Sequence, residues 1–164
     1  VFALKLSVEK PLAYITQTTL SVDEARDTIA ALRERFPNII GPSAGDLCYA
    51  TGNRQAAVRE LCSKVDLLLI VGSSNSSNST RLSELGKKCG IPSYLISSVE
   101  DLNFDWFKNV ETVGLSSGAS APDILVQGVQ QAICAKFPDI LVENSVTLVE
   151  NLHFPLPKEL QEDK

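Results

Sequence analysis

The sequence contains one uninterrupted run of five aliphatic residues, Leu67 to Val71, bounded by Asp66 and Gly72. Nothing along the chain approaches the roughly 18 consecutive apolar residues that a membrane-spanning helix requires. A short continuous apolar run is instead typical of a strand that is buried on both faces, as in a parallel sheet. A sheet with helices on both faces is therefore the architecture that this segment favours.

The rest of the chain repeats a strand–turn–helix plan. The residue patterns predict strands at 12–16, 39–40, 66–72, 92–97 and 112–115, and helices at 21–36, 53–64, 80–89, 98–110 and 122–136. Ser21 with Glu24 forms a capping box, Gly90 is placed to end a helix, and Pro122 is placed to begin one. We therefore predict the α/β class, with parallel sheets and flanking helices.

Composition narrows the classes of function. The chain has a net charge of −5, which argues against nucleic-acid binding through bulk charge, and it shows no membrane segment. A small anionic ligand remains compatible, since backbone N–H groups can hold one. The sequence lacks methionine and opens abruptly on a strand-like segment, so we expect it to be part of a longer chain.

The four cysteines, at 48, 62, 89 and 134, are spaced as in neither zinc sites nor ferredoxins. Cys62, Cys89 and Cys134 lie in helical apolar patterns, which predicts small core residues. Cys48 follows a Gly/Pro/Ser loop and precedes a helix, so it is either functional or buried at a domain junction. The single histidine, His153, lies in the tail and is expected to be structural or exposed.

Two polar turns are the strongest functional signal. Residues 72–79 and 116–122 each follow the carboxyl end of an apolar strand and open a helix. Ligands of open α/β sheets bind at that edge, and helix amino termini attract anions. The turns predict a phosphate or diphosphate site without lysine, although serine and asparagine are also ordinary helix caps and turn formers. A third polar cluster, 16–19, again follows a strand.

Taken together, four motifs resemble the 4-hydroxy-3-methylbut-2-enyl diphosphate reductase (LytB-type) family. They are TQTTLS at 16–21, DLCYATGNRQ at 46–55, VGSSNSSN at 71–78 and GASAP at 118–122. Their order and spacing match the C-terminal portion of that family over nearly the whole chain.

The resemblance implies a reductive dehydroxylation in isoprenoid biosynthesis, carried out at a [4Fe–4S] cluster held by three cysteines. It implies that Cys48 is one cluster ligand. It further implies that the substrate diphosphate is held by Ser76, Ser77, Asn78 and Ser120, with Thr18 beside the substrate hydroxyl. An electron donor such as ferredoxin or flavodoxin is implied, with a bacterial cytoplasmic or plastid stromal location.

The chain departs from the family pattern because two cluster cysteines, the substrate-binding histidines and the proton-donating glutamate belong to the other half. The resemblance places 1–47 at the end of a second α/β domain, 48–137 as the third and 138–164 as the tail of a pseudo-threefold architecture. We expect the chain alone to be inactive. Two alternatives are a non-catalytic phosphate-binding α/β module, which leaves Cys48 unexplained, and an inactive interaction domain.

Overall fold

A computed structural model describes residues 1–7, 10–20, 22–42, 48–146 and 157. Within them, the central structure is a three-stranded sheet built from β1 (Leu67–Val71), β2 (Ser93–Ile96) and β3 (Val113–Ser117). The order is β2-β1-β3 and both pairings are parallel. The predicted α/β class is therefore confirmed.

Strand β1 is buried on both faces, as its unbroken apolar run predicts. All five of its residues are fully inaccessible to solvent. Leu67, Leu69 and Val71 pack on one side with Ile96, Val129 and Ile133, whereas Leu68 and Ile70 pack on the other with Val58, Cys62 and Leu82. Full burial of such a side chain stabilises the fold by about 1.5–3 kcal/mol, so this strand anchors both helical layers.

Among the described residues, four α-helices flank or precede the sheet: α1 (Val22–Arg35), α2 (Tyr49–Cys62), α3 (Ser77–Lys88) and α4 (Asp123–Lys136). Helices α2 and α3 cover one face and α4 covers the other, as the two core clusters show. Two helices begin earlier than their sequence pattern predicts, α2 at Tyr49 and α3 at Ser77. Residues 77–79, expected in a turn, therefore form the first turn of α3. Gly90 has a φ of +87° just beyond α3, which confirms its predicted role as a stop.

The predicted helix at 98–110 is wrong. This segment contains two 3₁₀ turns instead, Val99–Asp101 and Phe104–Phe107. The Asn103 side chain accepts a hydrogen bond from the Asp105 N–H at 2.9 Å, and Asp101 Oδ2 accepts one from the Ser97 N–H at 2.7 Å. Such local side-chain bonds compete with the helical pattern, and they hold the segment in separate turns.

The predicted strands at 12–16 and 39–40 reduce to one parallel bridge, between Ala13 and Ile40. Tyr14 N–H donates to Ile40 O, and Ile40 N–H donates to Leu12 O, both at 2.9 Å. Pro42 has no N–H with which to extend the pairing. The capping residue Ser21, most of the 41–45 loop, His153 and nearly all of the predicted tail strand lie outside the described residues. No helix in the described part of the chain has both the length and the apolar character needed to cross a bilayer.

Candidate functional site

The two polar turns lie side by side at the carboxyl edge of the sheet. The Gly118 N–H donates a hydrogen bond to Val71 O at 2.9 Å, which joins the turn after β3 to the end of β1. On the other side of β1, the Gly72 N–H donates to Ile96 O, also at 2.9 Å. The sheet pairing thus extends one residue past each strand and fixes the start of both turns.

Ser79 fills the space between the two turns. Its side chain is only 1% exposed. A β-carbon at Gly72 would come within 2.3 Å of Ser79 Oγ, and one at Gly118 would come within 2.1 Å. Because real side-chain atoms do not approach so closely, both glycines are required for helix α3 to sit against the strand ends.

The turn after β1 presents hydroxyl and amide groups at the amino end of α3. Ser76 caps the helix, since its Oγ accepts a hydrogen bond from the Ser79 N–H at 3.3 Å. Asn78 is 6% exposed, and neither its Oδ1 nor its Nδ2 has a hydrogen-bond partner among the described residues. A buried amide without a partner costs free energy, which marks Asn78 as a group with unused bonding capacity.

The turn after β3 is more open. Ser120 is exposed, and the turn is closed by the Ala121 N–H, which donates to Gly118 O at 3.1 Å. Pro122 occupies the N-cap position of α4 and provides no side-chain cap. The first N–H groups of α4 therefore lack the capping hydroxyl that Ser76 gives to α3.

Residues from the distant 16–19 cluster and Cys48 reach the same place. The Cys48 N–H donates to Thr18 O at 3.2 Å. Gln17 Nε2 donates to Ser77 Oγ at 3.3 Å, linking this segment to the first turn of α3. Thr18, Ser77 and Cys48 are all exposed. The structure therefore brings the four sequence motifs together, and each sequence-predicted site residue lies in or beside this group.

The structure also draws attention to three residues of the 46–55 motif that the sequence analysis did not name as site residues. Arg54 Nη1 donates to Ser117 O at 3.2 Å and to Ser117 Oγ at 3.4 Å, which ties α2 to the end of β3. Thr51 and Gln55 are each 3% exposed, and Gln55 Nε2 has no partner among the described residues. A signal was available, because positions 48, 51 and 55 are spaced to lie on one face of a helix.

Among the described residues, no three His, Cys, Asp or Glu side chains come close enough to hold a metal ion. Cys62 is buried at the far end of α2, about 20 Å from Cys48 along a helix of that length. Cys134 is half-buried, whereas Cys89 is exposed, so the prediction that Cys89 is a core residue is wrong. Position 89 follows the last residue of α3, where a side chain is no longer held on the apolar face. Cys48 is thus the one cysteine beside the polar turns.

Two of the cavities in the described part of the chain each include one residue of the polar segments, Ser116 in one and Thr16 in the other. One, of about 640 Å³, separates β3 and α4 from residues 140–146, and Cys134 is in its wall. The other, of about 320 Å³, lies between α1 and residues 14–20, and Arg81 of α3 is in its wall.

Comparison with known proteins identifies relatives over almost the whole chain. The family model described as LytB protein matches residues 2–134. A 4-hydroxy-3-methylbut-2-enyl diphosphate reductase from Zymomonas mobilis is 52% identical over 159 residues, covering 97% of this chain and 46% of the relative. One from Serratia proteamaculans is 49% identical over 163 residues, covering 99% of this chain and 51% of the relative. The chain spans about half the length of these relatives.

Solved structures agree with the sequence relatives. The E-1-hydroxy-2-methyl-but-2-enyl-4-diphosphate reductase from Plasmodium falciparum superimposes with a TM-score of 0.84 at 34% identity, over 96% of this chain and 50% of that one. A second structure, described as (E)-4-hydroxy-3-methyl-but-2-enyl diphosphate reductase, the terminal enzyme of the non-mevalonate pathway, gives a TM-score of 0.52 at 29% identity. Both are similar to this chain over about half of their length.

Proposed function

The chain belongs to the LytB protein family, and we propose that it forms part of a 4-hydroxy-3-methylbut-2-enyl diphosphate reductase. That enzyme would remove the allylic hydroxyl of its substrate, as water, with two electrons and two protons. The products would be isopentenyl and dimethylallyl diphosphates. Within it, this chain would hold the substrate diphosphate and supply one thiolate ligand to an iron–sulfur cluster.

The chain would contribute to two α/β domains of that enzyme. The parallel bridge between Ala13 and Ile40, with α1 between them, supports assigning residues 1–47 to the end of one domain. The sheet β2-β1-β3 with α2, α3 and α4 supports 48–137 as the next domain, followed by a tail at 138–164. Exposed apolar residues in the first segment, such as Ile15 at 92% and Ile40 at 66%, are consistent with a surface that the rest of the enzyme covers.

The diphosphate would lie across the two polar turns. Ser76, Ser77 and Asn78 stand at the amino end of α3, and Ser120 lies just before the amino end of α4. Two helix termini aimed at one edge of the sheet supply N–H donors and a partial positive charge. Hydroxyl and amide donors would bind the remaining phosphate oxygens, so that a doubly anchored diphosphate positions the far end of the substrate.

Asn78 is the residue whose environment most directly supports an anionic ligand. Its amide is 6% exposed and lacks a partner within the described residues, so the free protein bears the cost of burying it. A phosphate oxygen that accepts a hydrogen bond from Nδ2 would remove that cost. Hydrogen bonds to charged groups contribute about 1.5–3 kcal/mol, which is enough to matter for affinity.

The reacting end of the substrate would lie near Thr18 and Cys48. The hydrogen bond between the Cys48 N–H and Thr18 O at 3.2 Å keeps these residues adjacent. Thr18 would contact the substrate hydroxyl. Cys48, exposed at the amino end of α2, would bind iron as a thiolate, and the partial positive charge of the helix terminus favours that form.

The donor set fits an iron–sulfur cluster in part. One cysteine lies at the expected place, and the described residues bring no second cysteine to it. Cys48 would hold a [4Fe–4S] cluster together with thiolates from elsewhere in the enzyme, and the group would supply iron for the substrate hydroxyl and electrons for its removal. The remaining ligands, and the group that donates a proton, would come from the other half of the enzyme. We propose a ferredoxin or flavodoxin as electron donor, in a bacterial cytoplasm or a plastid stroma.

The convergence of the four motifs at one edge of the sheet is the observation that carries this proposal. Its test uses the full-length protein, purified without oxygen and supplied with reduced methyl viologen and the hydroxylated diphosphate. We expect both isomeric diphosphates to form, detected by mass spectrometry. If the protein binds the substrate but leaves it unreduced, the phosphate-binding module is the better description. If the protein does not bind the substrate, both the reductase and the phosphate-binding module are ruled out.

A further inference from the structure

Two cysteines that the proposed reaction does not use lie together at the opposite end of the domain. Cys62 is the last residue of α2, and Cys89 is the C-cap of α3. Helix α2 leads into β1 and α3 leads into β2, and these two strands are parallel neighbours. Both helices therefore end at the amino edge of the sheet, away from the polar turns.

The local packing brings the two thiols close to each other. Cys62 is 8% exposed and belongs to a buried cluster against which Leu85 and Ile91 pack. These two residues bracket Cys89 in the chain, and the Cys89 N–H donates to Leu85 O at 2.9 Å. Cys89 itself is exposed. One thiol is thus shielded in the core, and its neighbour is open to solvent.

The pKa of the Cys62 thiol is raised by its burial and by its neighbour. Burial, followed by a hydrogen bond with Cys89 and charge repulsion from it, raises the pKa of Cys62 to about 11. The packing of Leu85 and Ile91 on the cluster that contains Cys62 places the two thiols as neighbours. Cys62 is consequently a thiol with little reactivity of its own, held next to one that solutes can reach.

We propose that Cys62 and Cys89 form a dithiol site that low-molecular-weight disulfides oxidise to an intramolecular disulfide linking the ends of α2 and α3. The exposed Cys89 thiolate attacks the small disulfide, forms a mixed disulfide with one half of it and releases the other half as a thiolate. The Cys62 thiolate then attacks the Cys89 sulfur and displaces the second half. The two cysteines lose two electrons and two protons, and the small disulfide becomes two thiols.

Cys89 lies where the backbone has room to adjust toward Cys62. A disulfide needs Cα atoms roughly 4.4–6.8 Å apart and a defined torsion about the sulfurs. Cys89 lies beyond the last residue of α3 and is followed by Gly90, which has a φ of +87° and open space where a β-carbon would stand. Helix ends adjust more readily than helix interiors. We expect closure to move Cys89, at the C-cap, more than Cys62, which is held in the core.

The test is a peptide map of the full-length protein after anaerobic treatment with oxidised glutathione. Free thiols are alkylated, and the unreduced protein is cut with trypsin. We expect a linked pair made of the peptides ELCSK (60–64) and 89–108, each of which contains a single cysteine. Its mass is the sum of the two peptides less two hydrogen atoms. The pair should be absent when the protein is treated with iodoacetamide before the oxidant.

Variants test the order of the steps. Cys62→Ala should trap Cys89 as a stable mixed disulfide with glutathione, and Cys89→Ser should leave Cys62 as a thiol over the same period. Cys134→Ser is the matched control, and it should give the same linked pair as the unaltered protein. A wild-type map in which Cys89 carries glutathione while Cys62 is alkylated would overturn the proposal, as would a map in which both remain free thiols.

Discussion

Ser79 and Gly118 occupy one shared space at the carboxyl edge of the sheet, although they belong to different turns. A β-carbon on residue 118 would lie 2.1 Å from Ser79 Oγ and 3.3 Å from Ser79 Cβ. The Gly118 N–H donates a hydrogen bond to Val71 O, so the backbone at residue 118 cannot move away from Ser79 without breaking this bond. The distance between the two turns, and hence the width of the candidate anion site, depends on this contact.

This contact predicts that a side chain at residue 118 destabilises the protein, and that a smaller side chain at residue 79 restores the stability. Gly118→Ala should destabilise the full-length protein by about 1–3 kcal/mol, the usual cost of inserting a carbon into a packed interior. Ser79→Ala should cost little alone, because Ser79 Oγ has no partner among the described residues. The double variant should recover most of the lost stability. Urea unfolding of the three variants measures this, and additive losses would contradict it.

Cys48 should be the only one of the four cysteines required for the cluster. Cys48→Ser in the full-length protein should abolish most of the bound iron and sulfide, because Cys48 alone lies beside the polar turns. Cys62→Ala, Cys89→Ala and Cys134→Ala are the controls and should retain both. Iron and acid-labile sulfide are measured after anaerobic purification. A full complement in Cys48→Ser would eliminate this residue as a ligand.

Asn78 should contribute to binding and little to stability. Asn78→Ala should lower substrate affinity by about 1–3 kcal/mol, since a hydrogen bond to a charged group is lost. Its effect on unfolding should be small, because relief of an unpaired buried amide offsets the cavity.

The matched control for Asn78 is Ser83, another buried polar residue of α3. The Ser83 hydroxyl donates to Ser93 O at 3.5 Å and lies 3.4 Å from Ser93 Oγ. Ser83→Ala should therefore lower stability and leave affinity unchanged. Titration of the oxidised enzyme with substrate and urea unfolding give the two quantities. The opposite pattern would place Asn78 outside the site.

The two serines of the proposed site should differ in what they stabilise. Ser76 caps α3 by accepting a bond from the Ser79 N–H, so Ser76→Ala should cost about 1 kcal/mol of stability in addition to affinity. Ser120 is exposed and outside any helix, so Ser120→Ala should reduce affinity alone. Thermal unfolding together with substrate titration separates the two effects. Equal affinity in both variants and the unaltered protein would remove these hydroxyls from the site.

Formation of the Cys62–Cys89 disulfide should accelerate as pH rises. Burial, the largest cause of the raised pKa of Cys62, persists when Cys89 is in the mixed disulfide. Below that raised pKa the thiolate fraction of Cys62 increases about tenfold per pH unit, and this thiolate performs the second step. Cys62 shares a hydrophobic cluster with Val58, Leu68 and Leu82. Among charged groups at the same helix ends, Glu60 and Lys64 pair with each other at 2.7 Å, and Lys87 and Lys88 are in the last turn of α3.

The measurement is the rate of linked-peptide formation between pH 7 and pH 9 with excess oxidised glutathione. Cys62→Ala reports the first step alone, through the rate at which Cys89 acquires glutathione. The ratio of linked to mixed disulfide should increase with pH in the unaltered protein. A ratio that is constant or falls would show that the second step does not depend on the Cys62 thiolate.

The sequence by itself determined the elements whose signals are local. The aliphatic run of β1 predicted a strand buried on both faces, because burial follows directly from an unbroken apolar pattern. Gly90 predicted the end of α3, because its left-handed backbone favours glycine. The local signal was misleading at 98–110, where side-chain bonds from Asp101 and Asn103 replace helical ones.

Only the tertiary structure decided which of these elements meet. Gln17 contacts Ser77, and the Cys48 N–H donates to Thr18 O. Both contacts join residues that are far apart in the chain, and the periodicity of apolar residues gives no information on such pairs. The strand order β2-β1-β3 puts the ends of β1 and β3 side by side, and close packing then selects glycine opposite Ser79. The same tertiary packing leaves Cys89 exposed beside the buried Cys62. Contacts of this kind depend on how whole layers pack, because each is stabilised by many distant side chains and not by its own sequence neighbours.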